Sequence, residues 1–172
     1  MFKKLFFLLA VPVYFTVSGC GQSATRDKNI PGMSVYDLSA YNAPITIYVP
    51  DTTKTKLEPS LQSSGSITIK SGKDFQISIT PGEGDIALTK GDIKDADVKK
   101  FKRYLRDDPD AIIWESQVSG MDSEYHFYTI VKAGKDSYVI EDLKDGDAFS
   151  EAAILKMMEA AKSIKVKEIK KV

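Results

Sequence analysis

The chain has 172 residues, 24 basic against 24 acidic side chains, one cysteine, one histidine and 42% apolar residues. That suffices for one ordinary domain with a real core plus a short extra segment. It excludes an intrachain disulfide framework, multi-cysteine metal sites and any site needing two imidazoles, and the neutral balance argues against a nucleic-acid partner.

Residues 1–20 read MFKKLFFLLAVPVYFTVSGC, with Lys3 and Lys4 ahead of an apolar run from Leu5 to Phe15. As a helix, that run would be roughly 16 Å long, short of a hydrocarbon core of about 30 Å, so it reads as a secretory signal and not a span. It closes on Val17-Ser18-Gly19-Cys20 and not on an A-x-A-like site. These four residues resemble the lipobox of bacterial lipoproteins. The resemblance implies that the Cys20 thiol receives diacylglycerol, that residues 1–19 are removed, and that the new N-terminus is acylated. Two or three acyl chains hold a protein firmly on a membrane. Gly21, where an Asp would favour the inner membrane, implies the outer membrane, facing the periplasm or the surface, if the bacterium has two membranes. The plainer reading is a free cysteine late in an ordinary signal peptide. Cleavage would leave 22 basic and 24 acidic residues, a charge of −2.

From Gly21 to about Ser34 the chain is polar, with Gly and Pro and no periodicity. This predicts a flexible tether of mean reach roughly 20 Å, so that 20–35 is lipidated N-terminus and tether, and 36–172 is a single globular domain. In that domain Ile45, Ile47 and Val49 alternate with polar residues and stop at Pro50-Asp51. Alternating runs recur at 66–70 and 75–80, joined by Ser71-Gly72-Lys73-Asp74. Period-two patterning of this kind marks half-buried strands of an antiparallel sheet, and the joining residues have hairpin chemistry. Later strands are expected at Ala111–Val118, Glu124–Lys132 and Ser137–Glu141, with turns at 119–122 and 133–136. The turn segments IKSGKD (69–74) and VKAGKD (131–136) look alike. Shared hairpin chemistry explains this without a duplication.

Asp95 is expected to cap a helix over about Ala96 to Arg106, on which Val98, Phe101 and Leu105 share a face and which Pro109 stops. A second helix is expected from the N-cap Ser150, with Ile154, Met157, Met158 and Ala161 as its apolar stripe. Both could cover the dry face of the sheet. Residues 165–172 are basic and either extend that helix or fray; they could touch anionic headgroups or cell-wall polymers. The pattern predicts an α+β domain: an antiparallel sheet of about six strands packed with two or more helices.

His126 is the one imidazole, on a strand face shared with Glu124 and Tyr128. It could serve as a general base oriented by a carboxylate, or simply be a strand histidine packed among aromatics. No Gly-x-Ser-x-Gly elbow accompanies it. Acid groups at Asp92, Asp95 and Asp97, and at Glu141, Asp142, Asp145 and Asp147, fail the EF-hand pattern and fit caps and turns, so no metal site is expected. Gly82-Glu83-Gly84-Asp85 reads as a loop without phosphate-cradle spacing. Trp114, Tyr125, Phe127, Tyr128 and Tyr138 favour core packing, with Tyr48 and Tyr128 the best candidates for an outward, ligand-stacking position.

The order of elements — ITIYVPD, a hairpin, a helix, the aromatic strands AIIWESQV, EYHFYTIVK and SYVIE, and the closing FSEAAILKMMEAAKSIK — resembles the Mog1/PsbP-like fold over about residues 41–164. That likeness implies an α/β/α sandwich and a small binding or assembly factor, and it carries no site residue with it. Three functional expectations follow. The first is a membrane-anchored lipoprotein acting as a non-enzymatic binding or accessory module, with no cofactor, whose partner is an envelope protein or cell-wall component. The second is a hydrolase or transferase using His126 with Glu124 or a nearby Asp. The third is a periplasmic inhibitor or immunity-type protein.

Overall fold

A computed structural model describes residues 29–53, 55–143 and 148–168. Cys20, the signal segment, most of the expected tether, Asp145, Asp147, Lys170 and Lys171 lie outside them. The fold is α+β. Among the described residues ten strands run in chain order: β1 Met33–Asp37, β2 Ile45–Pro50, β3 Glu58–Leu61, β4 Ile67–Lys70, β5 Gln76–Pro81, β6 Lys100–Asp107, β7 Ala111–Gln117, β8 Ser123–Ala133, β9 Asp136–Asp142 and β10 Lys165–Val166. Two α-helices join them, α1 Ile86–Asp95 and α2 Glu151–Ala161.

Seven strands form one antiparallel sheet in the order β3-β4-β5-β9-β8-β7-β6, and β1-β2-β10 form a smaller one. The order has a simple origin. The chain builds β3 to β5 by hairpins, crosses through α1 to the far edge, and returns strand by strand from β6 to β9, which closes on β5. Gly72, Gly120 and Gly134 lie at positive φ in the β4–β5, β7–β8 and β8–β9 turns, a conformation that glycine adopts without strain. The two outer edges are poor templates for further pairing. β3 is short and contains Pro59, and β6 is bulged twice and bears Lys100, Lys102, Arg103 and Arg106.

α2 forms as the sequence predicts. The Ser150 hydroxyl accepts from the Ala153 N–H, and Ile154, Met157, Met158 and Ala161 are buried. The helix packs on β8, β2 and β9 over the main core, where Ile47, Phe75, Ile77, Ile79, Ile113, Phe127 and Ile140 are closed to solvent. Each such side chain contributes about 1.5–3 kcal/mol on burial.

No helix forms over 96–106: residues 96–99 are irregular and the rest belongs to strand β6. The helix precedes it at Ile86–Asp95, so Asp95 ends a helix and does not start one, and Asp85 is the N-cap, accepting from the Leu88 N–H at 2.9 Å. The cause is the pair of bulges in β6. Phe101, Tyr104 and Asp107 oppose Ser116, Trp114 and Ile112, three residues that alternate along β7. Each bulge adds one residue to β6 and breaks its period of two. Of the expected stripe, Val98 lies outside the strand and is exposed, Phe101 packs beneath α1 and Leu105 packs against the main core, so the three share no face. α1 itself buries only Ile93 fully, which is why no apolar face announces it.

The helices do not share one face of the sheet. α1 contributes Ile86 and Ile93 to a second cluster with Ile112, Trp114 and Tyr128, on the face opposite α2. Gly84 permits this: a Cβ there would collide with the Tyr128 hydroxyl, Val139 and Ile130. The chain also pairs earlier than the tether expectation allowed, from Met33, with Ile30 and Met33 buried. At the other end, Lys165 and Val166 neither extend α2 nor fray but pair with β2. Lys167 then bonds the Asp37 carboxylate at 2.6 Å, which draws part of the basic tail back onto the domain.

Candidate functional site

Three neighbouring strands carry polar residues inward at one end of the sheet. Alternation along β7 places Ser116 on the face of Trp114 and Ile112, and alternation along β8 places Glu124 and His126 on the face of Tyr128. The register sets Ser116 opposite Glu124 and Trp114 opposite His126. Asp142 ends β9, one residue past the last β8–β9 pair, Tyr128 with Glu141. There its carboxylate replaces a ladder partner and accepts the Phe127 N–H at 2.8 Å.

The same carboxylate meets His126. Asp142 Oδ2 lies 2.8 Å from Nδ1, and Nε2 lies 3.1 Å from Ser116 Oγ. The Trp114 ring stacks on the imidazole at 5.2 Å between centroids. Ser116 is 2%, Asp142 4% and His126 7% exposed. A buried carboxylate is costly unless hydrogen-bonded, and both oxygens of Asp142 have a donor. With Nδ1–H donating to Asp142, a neutral His126 presents its Nε2 lone pair to the Ser116 hydroxyl.

The carboxylate within hydrogen-bond distance of the imidazole is that of Asp142, and not that of Glu124. Glu124 Oε1 stands 3.6 Å from Nε2 and 3.4 Å from Ser116 Oγ, while Oε2 accepts from Lys99 Nζ at 3.1 Å. Ser116 and Asp142 went unread as site residues. The available signal was that AIIWESQ, EYHFY and SYVIED each place a polar residue in an inward register, but only strand order brings these positions together. Tyr128 is not an outward platform; α1 covers it, and it is 9% exposed. Trp114, Phe127 and Tyr138 are likewise buried. Among the described residues no group of three or more His, Cys, Asp and Glu side chains could hold a metal ion.

Tyr48 is half-buried and lines a groove of about 1290 Å³ on the α2 side, between α2, β6 and the chain entering at Ile30. Leu105, Ile113, Leu155, Met158 and Ile164 supply its apolar part. Its rim carries Arg103, Arg106, Lys132 and Lys162 together with Asp107, Asp108, Glu151 and Glu159. Much of this charge is internally satisfied: Arg103 bonds Glu115 at 2.7 Å, and Arg106 pairs with Asp108. The Arg103 guanidinium, helped by the Ser123 hydroxyl, holds the Glu115 carboxyl below its usual range. On the opposite face, in the cluster beneath α1, the Tyr104 hydroxyl is buried with no hydrogen-bond partner, and burial pushes its ionisation up.

The molecule thus has a closed polar relay on the α1 face and an open groove on the α2 face. No helix among the described residues is long and apolar enough to cross a membrane. Comparison with family models, with curated proteins and with solved structures gives no match.

Proposed function

We propose that the chain is a bacterial lipoprotein, anchored through acyl groups on Cys20, whose domain is a binding or assembly module for an envelope protein or cell-wall component. The observation that carries this reading is Val17-Ser18-Gly19-Cys20 closing a basic, then apolar, N-terminal segment. The geometry adds support. The open surface is a groove with an apolar floor and a charged rim, the usual anatomy of a recognition patch. Ile30, close in sequence to the anchor segment, forms part of its wall. The sole imidazole is closed off on the opposite face, away from this groove. A helix on each face of an antiparallel sheet also supports the likeness to Mog1/PsbP-like accessory factors, although fold alone fixes no function.

Metabolic labelling with an alkyne fatty acid tests the anchor: the wild-type chain takes up label and sediments with membranes, and Cys20→Ala does neither. An unlabelled, freely soluble wild type would overturn the anchor. Cross-linking in envelopes tests the groove. A partner captured by the wild type and lost with Leu155→Glu or Tyr48→Ala fits the binding reading, and capture indifferent to both substitutions removes the groove from it.

A further inference from the structure

Beyond binding, we propose that Ser116 is a reactive nucleophile, with His126 as its base and Asp142 as the group that positions the base, and that it takes up activated acyl or phosphonyl groups. The proposal rests on a chain of hydrogen bonds across three adjacent strands. A base capable of taking a hydroxyl proton must lie within hydrogen-bond reach of it, and Nε2 lies 3.1 Å from Oγ. That base must be held in the right tautomer, and Asp142 accepts from Nδ1 at 2.8 Å. Asp142 is itself fixed by the Phe127 N–H, and the imidazole by the Trp114 ring.

The Ser116 hydroxyl has one proton and two acceptors in reach. Nε2 is the nearer; Glu124 Oε1 lies at 3.4 Å, and the other Glu124 oxygen is engaged by Lys99. Such an arrangement makes Ser116 more than a filler of a buried corner. With Nδ1–H given to Asp142, the Nε2 lone pair faces the Ser116 hydroxyl as the nearer of its two acceptors.

The relay is closed in this structure, and one side of the closure is light. Lys99 belongs to the short irregular segment between α1 and β6, its side chain is 42% exposed, and it meets the cluster through Glu124 alone among the contacts that hold it. An ion pair with one exposed partner is weak. On this proposal a reagent reaches Ser116 from the side of this segment, which contributes no residue to the main core.

In the step itself a bond forms between Ser116 Oγ and the electrophilic carbon or phosphorus. The bond to the leaving group breaks, and the hydroxyl proton passes to His126 Nε2 and then to the departing oxygen, or is released with departing fluoride. Each chain carries one such hydroxyl, so the expected stoichiometry with a reagent that leaves a stable adduct is one per chain.

The test uses the full chain and a biotinylated alkyl fluorophosphonate, read by intact mass and peptide mapping. One adduct per wild-type chain, on Ser116, is expected. It is absent in Ser116→Ala, at least tenfold slower in Asp142→Asn, and faster in Lys99→Ala. Circular dichroism and melting accompany each variant; if Ser116→Ala or Asp142→Asn fails to fold, mapping on the wild type and the Lys99→Ala rate still decide. No adduct on either wild type or Lys99→Ala, or an adduct on another residue, overturns the proposal. A p-nitrophenyl ester separates the two functional readings. A burst of one equivalent supports the nucleophile and leaves the binding reading standing. Continuous Ser116-dependent release supports the nucleophile and overturns the non-enzymatic reading.

Discussion

The two faces of the seven-stranded sheet are ordered by different forces. Under α2, the core is a continuous set of isoleucines, methionines and phenylalanines whose attraction is non-directional. Under α1, a small apolar cluster of Ile93, Ile112, Trp114 and Tyr128 runs into the Ser116–His126–Asp142 relay, where each group depends on a partner at a fixed distance. The first kind of order degrades gradually with lost volume. The second fails as a unit, because an unpaired polar group in a low-dielectric site carries its full desolvation cost.

Removing Asp142 breaks this comparison most severely. Asp142→Ala leaves the Phe127 N–H and His126 Nδ1 without their acceptor and should cost about 2–5 kcal/mol by urea denaturation, the desolvation cost of two unsatisfied buried donors. Asp142→Asn keeps one acceptor and should cost clearly less. Equal losses in the two variants would show that packing, and not hydrogen bonding, governs this face.

Apolar truncation should rank the faces the other way. Ile154→Ala, in α2 and fully buried, should cost about 3–4 kcal/mol, and Ile93→Ala, in α1 and 9% exposed, about 2 kcal/mol. A reversed order in equilibrium melts would contradict the assignment of the main core to the α2 side.

The helix caps sharpen the contrast at smaller scale. Ser150→Ala and Asp85→Ala each remove one N-cap acceptor, worth about 1 kcal/mol. Because α1 buries little, Asp85→Ala should raise amide hydrogen exchange in residues 86–95 alone. Ser150→Ala should instead lower global stability, since α2 is part of the main core.

The smallest effects are electrostatic and belong to the three-stranded sheet. Lys167, with the Ser39 hydroxyl and N–H, holds the Asp37 carboxyl down at about 2, against 3.8 for the free group. A depressed folded-state value means this contribution is complete above pH 3.8 and is lost as pH falls through 2, and Lys167→Ala should flatten that limb of the stability profile. Tyr36 behaves in the opposite direction. Burial, and then the hydrogen bond with Tyr41, push it up to about 12, so its contribution is complete below pH 10 and is lost as pH rises through 12. A phenolate absorbance titration of Tyr36→Phe against wild type checks this, and a Tyr36 ionising near 10 would sink it.

Much of the fold was legible before any coordinates. β2, β4, β5, β7, β8, β9 and α2 follow alternation or a helical stripe with turn glycines and a capping serine between them. Each of those signals is local, since a side chain's face follows from its own backbone period. β6 does not read as a strand because two bulges break its alternation, and α1 lacks an apolar stripe of its own. β1 and β10 are short, and their pairing depends on β2 and not on their composition.

The site divides along the same line. By itself the sequence determined the α+β class, the sole imidazole with Glu124 and Tyr128 on its face, and the charge of the chain, since these depend on residue identity and neighbours along the strand. Tertiary structure alone decided that Asp142, and not Glu124, orients His126, that Ser116 stands at Nε2, and that Tyr128 lies beneath α1. Those facts depend on which strands lie side by side and where their registers end, and strand order is set by packing between residues distant in the chain.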